Sequence, residues 1–320
     1  MKRTILALFV LVTVLTACSS GGNELPELGS LFYPIYGYDR DTGECIGGPD
    51  SAAWNGDGGP ILLEPVAGFY CFGWPKYQET TISLMEEHGF SWTLISYNGW
   101  GDVGLKGEIK SEDFKAAHGD IDAFLTRAEG KVKVALLVEP YVNVGGLDPA
   151  SLTDVQKAQI RDSIWSELYQ PHADAIFHFE GRPLLVQWFP MDLGQDDRFT
   201  IRTFGSSELP QEPLLDWNWY PDIEKYPEII SDDGFISFAP RFVDAFPPDL
   251  HNLREMDPLL EEGVYGKFWD IACENRDKIA LVLIYGWNAY GELSVIETVV
   301  GGPDLLKQTQ EGFERLLECR

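Results

Sequence analysis

The chain has 320 residues, 24 of them basic and 51 acidic, for a formal charge of −27 at pH 7. So acidic a surface repels nucleic acid and anionic lipid headgroups, which excludes both as partners. Aromatic residues are plentiful (10 Trp, 13 Tyr and 18 Phe), more than an ordinary surface needs, and they suit either a large core or a site that stacks rings.

In chain order, Met1-Lys2-Arg3 is a short basic start and Ile5 to Leu15 an apolar run too short to span a bilayer. Leu15-Thr16-Ala17-Cys18 has the form of a bacterial lipoprotein cleavage site. The reading is a leader over 1–17, a lipidated Cys18 opening a polar tether over 18–29, and one domain over 30–320. The expected location is therefore the cell envelope, outside the cytoplasm, on a lipid anchor, as a monomer. About 290 residues remain for the domain, ample for a single barrel-sized core. Cys45, Cys71, Cys273 and Cys319 form an even set that permits two disulfides in three pairings. Cys45–Cys71 and Cys273–Cys319 are favoured, the first within a loop-rich region and the second near C-terminal helices. Asp39-x-Asp41-x-Gly43-Glu44 is similar to part of a calcium loop but lacks its remaining ligands, and His172 and His178 stand alone, so neither a metal nor a cofactor is expected.

Eight short apolar runs read as strands: 31–35, 92–96, 132–138, 184–188, 200–204, 214–217, 235–239 and 280–285. Residues 69–72 make a ninth candidate, as a hairpin. Helical periodicity covers 77–88, 112–129, 152–169, 258–276 and 303–317. Strands alternating with helices predict α/β architecture, a single (β/α)8 TIM-type barrel, irregular between 189 and 235 where full helices have little room.

Aromatic and hydrogen-bonding residues follow nearly every predicted strand. They are Tyr33 and Tyr36, Trp100 and Asp102, Glu139 and Tyr141, Trp188, Trp217 and Trp219, Arg241, and finally Trp287, Asn288 and Tyr290. In a barrel these positions converge on the carboxyl-end face. There they suit a sugar groove, with rings stacked on aromatics and hydroxyls bonded to amides and carboxylates.

The densest segment is 282–297, where an aliphatic strand stops at Gly286-Trp287-Asn288 and Glu292 follows four residues after Asn288. It resembles the Trp-Asn-Glu-Trp-x-Glu-Gly…Ile-Glu-Pro signature of family 99 glycoside hydrolases, the endo-α-mannosidases and their relatives. Further pieces resemble that family in the same order: Tyr33-Pro34-Ile35-Tyr36-Gly37 with Trp54-Asn55, Val138-Glu139-Pro140-Tyr141, Tyr169-Gln170-Pro171-His172-Ala173 with Gly181-Arg182-Pro183, and Val264 to Trp269. The resemblance implies cleavage of α-mannosides by two glutamates, the second of which protonates the leaving oxygen. Glu292 aligns with that acid. Ala289 stands where the first glutamate belongs and cannot serve as a base.

Glycoside hydrolysis normally takes two carboxylates flanking the scissile bond. Glu139 is the first candidate to supply the second, with Asp102 and Asp216 behind it; alternatively, Glu139 only hydrogen-bonds a sugar hydroxyl. Glu297, in the Ile-Glu element, reads as structural. Three functions stay open: a surface-anchored hydrolase of mannose-containing or related polysaccharide, a catalytically inactive glycan-binding lipoprotein on the same barrel, and a role in polysaccharide assembly.

Overall fold

A computed structural model describes residues 25–34, 38–39, 44–45, 65–68, 70–97, 112–139, 151–206, 215–219, 230–240, 264–289, 294–302 and 304–319. Eight parallel strands run in the spatial order β7-β8-β1-β2-β3-β4-β5-β6. They are β1 Glu27–Phe32, β2 Trp92–Tyr97, β3 Lys133–Val138, β4 Arg182–Trp188, β5 Thr200–Ser206, β6 Trp217–Trp219, β7 Phe235–Phe238 and β8 Leu281–Ile284. The sheet is a nearly closed barrel. At the β6–β7 seam, where no ladder links the described residues, the Trp217 and Phe235 rings stack with centroids 4.1 Å apart.

Side chains alternate along each strand and sort into two cores. Leu31, Leu94, Leu137, Val186, Phe204 and Leu283 fill the barrel interior. Phe32, Ile95, Leu136, Leu185, Ile236 and Val282 face outward, under the helices. The helices are α1 Pro75–Glu87, α2 Glu112–Ala128, α3 Asp154–Ser163, α4 Val264–Glu274 and α5 Leu305–Glu318. Their starts follow local chemistry: Pro75 opens α1, Thr153 and Gln156 form a capping box on α3, and the Asp304 carboxylate accepts from Lys307 N–H at 3.1 Å. Gly29 is required by packing, since a Cβ there would lie 2.3 Å from the Trp92 indole, which occupies the barrel interior beside it.

Four expectations are corrected. The first strand begins at Glu27, not at residue 31; Leu28, assigned to the tether, is fully buried and registers with Val282. Residues 70–72 are buried in a turn rather than a hairpin strand. The predicted helix over 152–169 is α3 followed by a π-helical turn, Ile164–Tyr169. That turn carries the Tyr169 hydroxyl between β3 and β4, where it donates to Leu184 O at 2.6 Å and accepts from Leu136 N–H at 3.0 Å. It thereby bridges the strands just before their own register begins at Leu136 and Leu185; burial pushes its phenol well above the ordinary tyrosine range. Lastly, β6 runs over Trp217–Trp219 rather than 214–217, which puts Trp217 at its start.

Between β4 and β5 the chain runs as an irregular strap rather than a helix. Arg161 of α3 holds it through Asp196 at 3.0 Å and through Leu193 O. A disulfide joins Cys273, near the end of α4, to Cys319, the C-cap of α5. Cys71 is also disulfide-bonded. The ends of the Asp39–Glu44 segment pair as an antiparallel hairpin.

Candidate functional site

The carboxyl ends of the strands form the barrel mouth, and parity decides what reaches it. Inward positions continue from Leu31 to Tyr33, from Leu137 to Glu139, from Val186 to Trp188 and from Leu283 to Tyr285. Glu139 keeps this parity because its N–H donates to Tyr97 O at 3.1 Å, extending the β2–β3 ladder by one residue. Its carboxylate is half-buried at the end of β3. Tyr33 and Tyr285 share a hydroxyl–hydroxyl bond of 2.8 Å with their rings edge-on. Trp188 packs edge-on against Phe204, its register partner on the neighbouring strand β5. Thus described residues from four strands bring a carboxylate, two phenols and an indole to one opening.

The segment after β8 holds this opening in shape. Gly286 adopts φ +97°, a conformation L side chains rarely take, and the turn breaks the strand's alternation. Trp287 therefore points outward instead of into the mouth. It is fully buried, edge-on to Phe90, and its backbone N–H donates to Leu31 O. Asn288, also fully buried, clamps β1: its Oδ1 accepts from Tyr33 N–H and its Nδ2 donates to Tyr33 O, both at 2.9 Å. Asn288 and Ala289 then pair antiparallel with Val295 and Ser294. The buried Glu297 carboxylate accepts from Tyr70 at 2.6 Å, tying the turn before α1 to the hairpin.

These positions correct several site assignments. Trp287 and Asn288 support the mouth rather than line it, because burial leaves neither a face for a sugar. Trp217 is fully buried inside the barrel, and its indole N–H points to Asp233 at the amino end of β7, away from the mouth. Asp216 precedes β6 and caps Thr203 N–H at 2.7 Å, so it is no substitute for the missing glutamate. Tyr36, Trp54, Asn55, Trp100, Asp102, Tyr141, Arg241, Tyr290 and Glu292 lie outside the described residues, as does Cys18; of Trp219 and Cys45 only the backbone is described. Sequence reading missed Tyr285, although its parity with Leu281 and Leu283 marked it as inward-facing.

At the amino end of the barrel, one set of polar groups around Asp233 is matched. Arg202 bonds Asp233 at 2.8 Å and Glu180 at 2.9 Å, and Ser231 and Trp217 also donate to Asp233. Burial would raise the Asp233 carboxyl, but the hydrogen bonds from Ser231, Arg202 and Trp217 outweigh it and hold the group below the ordinary carboxylate range.

No family model and no curated protein matches the sequence. Solved structures do. A family 99 endo-α-mannosidase from Bacteroides thetaiotaomicron in complex with bis-tris-propane superposes with TM-score 0.62 at 14% identity, covering 92% of this chain and 99% of that one. A second structure of the family 99 endo-α-mannosidase from that organism gives 0.59 at 15%, with the same coverage. A glycoside hydrolase-like protein gives 0.57 at 13%, covering 91% and 94%. The chain has the family 99 barrel fold. The likeness extends over nearly the whole of those chains.

Proposed function

We propose that the chain is a glycoside hydrolase acting on mannose-containing or related polysaccharide at the barrel mouth. The observation that carries this reading is Glu139, an inward carboxylate at the carboxyl end of β3, on a fold shared with family 99 endo-α-mannosidases. Glu292 is the general acid in this proposal, protonating the leaving oxygen, a task that suits a carboxyl kept protonated by its surroundings. Glu139 supplies the second carboxylate in place of the glutamate absent at Ala289. Tyr33 and Trp188, both part-exposed, border the sugar, Trp188 with an apolar ring and Tyr33 with a hydroxyl that the buried Tyr285 holds in place.

Ala289 itself favours a second reading, a glycan-binding protein that keeps the groove without turnover. Product release from α-mannan, other polysaccharides and activated aryl glycosides separates the two. Hydrolysis that falls about 100-fold or more in Glu292→Gln supports the enzyme. Absence of turnover on every substrate, with glycan binding intact, establishes the binding protein instead.

The lipid anchor belongs to the same proposal. Cys18 stands nine positions before Glu27, where the chain enters the barrel at its amino end. Fully extended, that stretch reaches at most about 30 Å, which keeps the amino end near the membrane and turns the mouth toward the surroundings. Cys18→Ser should shift the protein to the soluble fraction, and unchanged partitioning would rule the anchor out.

A further inference from the structure

A cavity of about 550 Å³ opens at the amino end of the barrel, opposite the mouth. Its walls are the segment leading into β4, including Phe179 and Glu180, the turn at Asp233, and the 276–281 segment leading into β8. The volume falls within the range of small-molecule sites, roughly 300–1,000 Å³.

One lining residue is out of balance. Arg276 is only 9% exposed, yet its guanidinium has no side-chain partner among the described residues. A buried cation is costly unless it is paired. The acids around it are otherwise engaged or exposed: Glu180 and Asp233 are held by Arg202, Glu27 accepts from Ser91 at 3.1 Å, and Asp277 stands in solvent. Lys278, exposed at the rim, adds a second cation whose ammonium is bonded to the Asn275 amide oxygen at 3.0 Å. Phe179 and Ile279 contribute apolar surface. The cavity thus offers a planar donor group on a largely buried side chain, with no side-chain partner among the described residues, beside apolar walls.

We propose that this cavity is a second ligand site, taking a small molecule that carries one carboxylate, of the size of an acid sugar. The carboxylate accepts two parallel N–H bonds from Arg276, the geometry a guanidinium fork presents, and Lys278 faces it from the rim. The C–H face of the ring lies on the apolar wall. No bond is made or broken, and the site acts independently of the mouth.

The test is calorimetric titration of the mature protein with glucuronate, with glucose as the neutral control. The wild type should bind glucuronate with Kd of about 1 mM or tighter and glucose not at all. Arg276→Gln should weaken binding about ten-fold or more, as loss of a bidentate charged pair does. Lys278→Gln, at an exposed position that threatens no folding, should weaken it by roughly two-fold, and added salt should erode what the wild type gains. Glu139→Gln should bind as the wild type does, which places the ligand away from the mouth. The proposal is overturned by no binding to folded wild type, by equal binding of glucose, by unchanged affinity in both cation variants, or by loss of affinity in Glu139→Gln.

Discussion

The two ends of the barrel treat polar groups differently. At the amino end, Arg202, Asp233, Glu180, Ser231 and Trp217 satisfy one another in a closed set. At the mouth, Asn288 spends its amide on the Tyr33 backbone, so that two phenols and the Glu139 carboxylate stand at inward positions. The closed set adds rigidity to a seam that has no ladder among the described residues. The open set is held from behind, by buried groups that never meet a ligand. A residue type alone does not distinguish the two: tryptophans belong to both ends, and only their direction separates structure from site.

The sharpest way to break this comparison is Arg202→Met. It takes the cation from the part-buried Asp233, which keeps Ser231 and Trp217, and should cost about 1–2 kcal/mol. Urea unfolding would read it as a lower midpoint, and an unchanged midpoint would show that the amino-end set is dispensable. Asn288→Ala comes next. Removing both bonds to Tyr33 should cost about 2 kcal/mol and loosen the mouth as well, so any turnover should fall together with stability.

The smallest effect is in acid. Asp233 has a depressed folded pKa, so its contribution is complete above the ordinary aspartate value of about 3.9 and is lost as pH falls through the folded value. Wild-type stability should therefore decline as the pH drops from about 5 toward 2, and more steeply than in Arg202→Met, where Asp233 has lost its main cation. Parallel pH profiles for the two proteins would contradict the assignment.

Much of the barrel was legible because apolar runs and helical periodicity are local signals. Each of the eight strands and five helices overlaps an expected run, as does the irregular stretch after β4, although the first strand starts four residues earlier than expected and the sixth three later. What could not be read depends on contacts far along the sequence. Gly29 looks like part of a tether until Trp92, 63 positions later, is placed against it. The buried Leu28 beside it is likewise fixed only by pairing with Val282.

The site was legible in part, for a related reason. Strand ends showed where functional groups should gather, and Tyr33, Glu139 and Trp188 do stand at inward positions there. Trp287 has the right residue type at the right strand end, but Gly286 reverses its direction, and a glycine's backbone angle is invisible in the sequence. Trp217 failed through its position along a strand of only three residues, where being at the start or the end decides which end of the barrel it serves.

The central claim is that chemistry belongs to the mouth and stability to the amino end. It is tested most directly by measuring product release per folded molecule from a substrate the wild type cleaves, in Glu139→Gln beside Arg202→Met. The account predicts that Glu139→Gln loses about 100-fold or more of its turnover with an unchanged urea midpoint, while Arg202→Met unfolds earlier and keeps its turnover. Full activity in Glu139→Gln, or equal loss of activity in both, would contradict it.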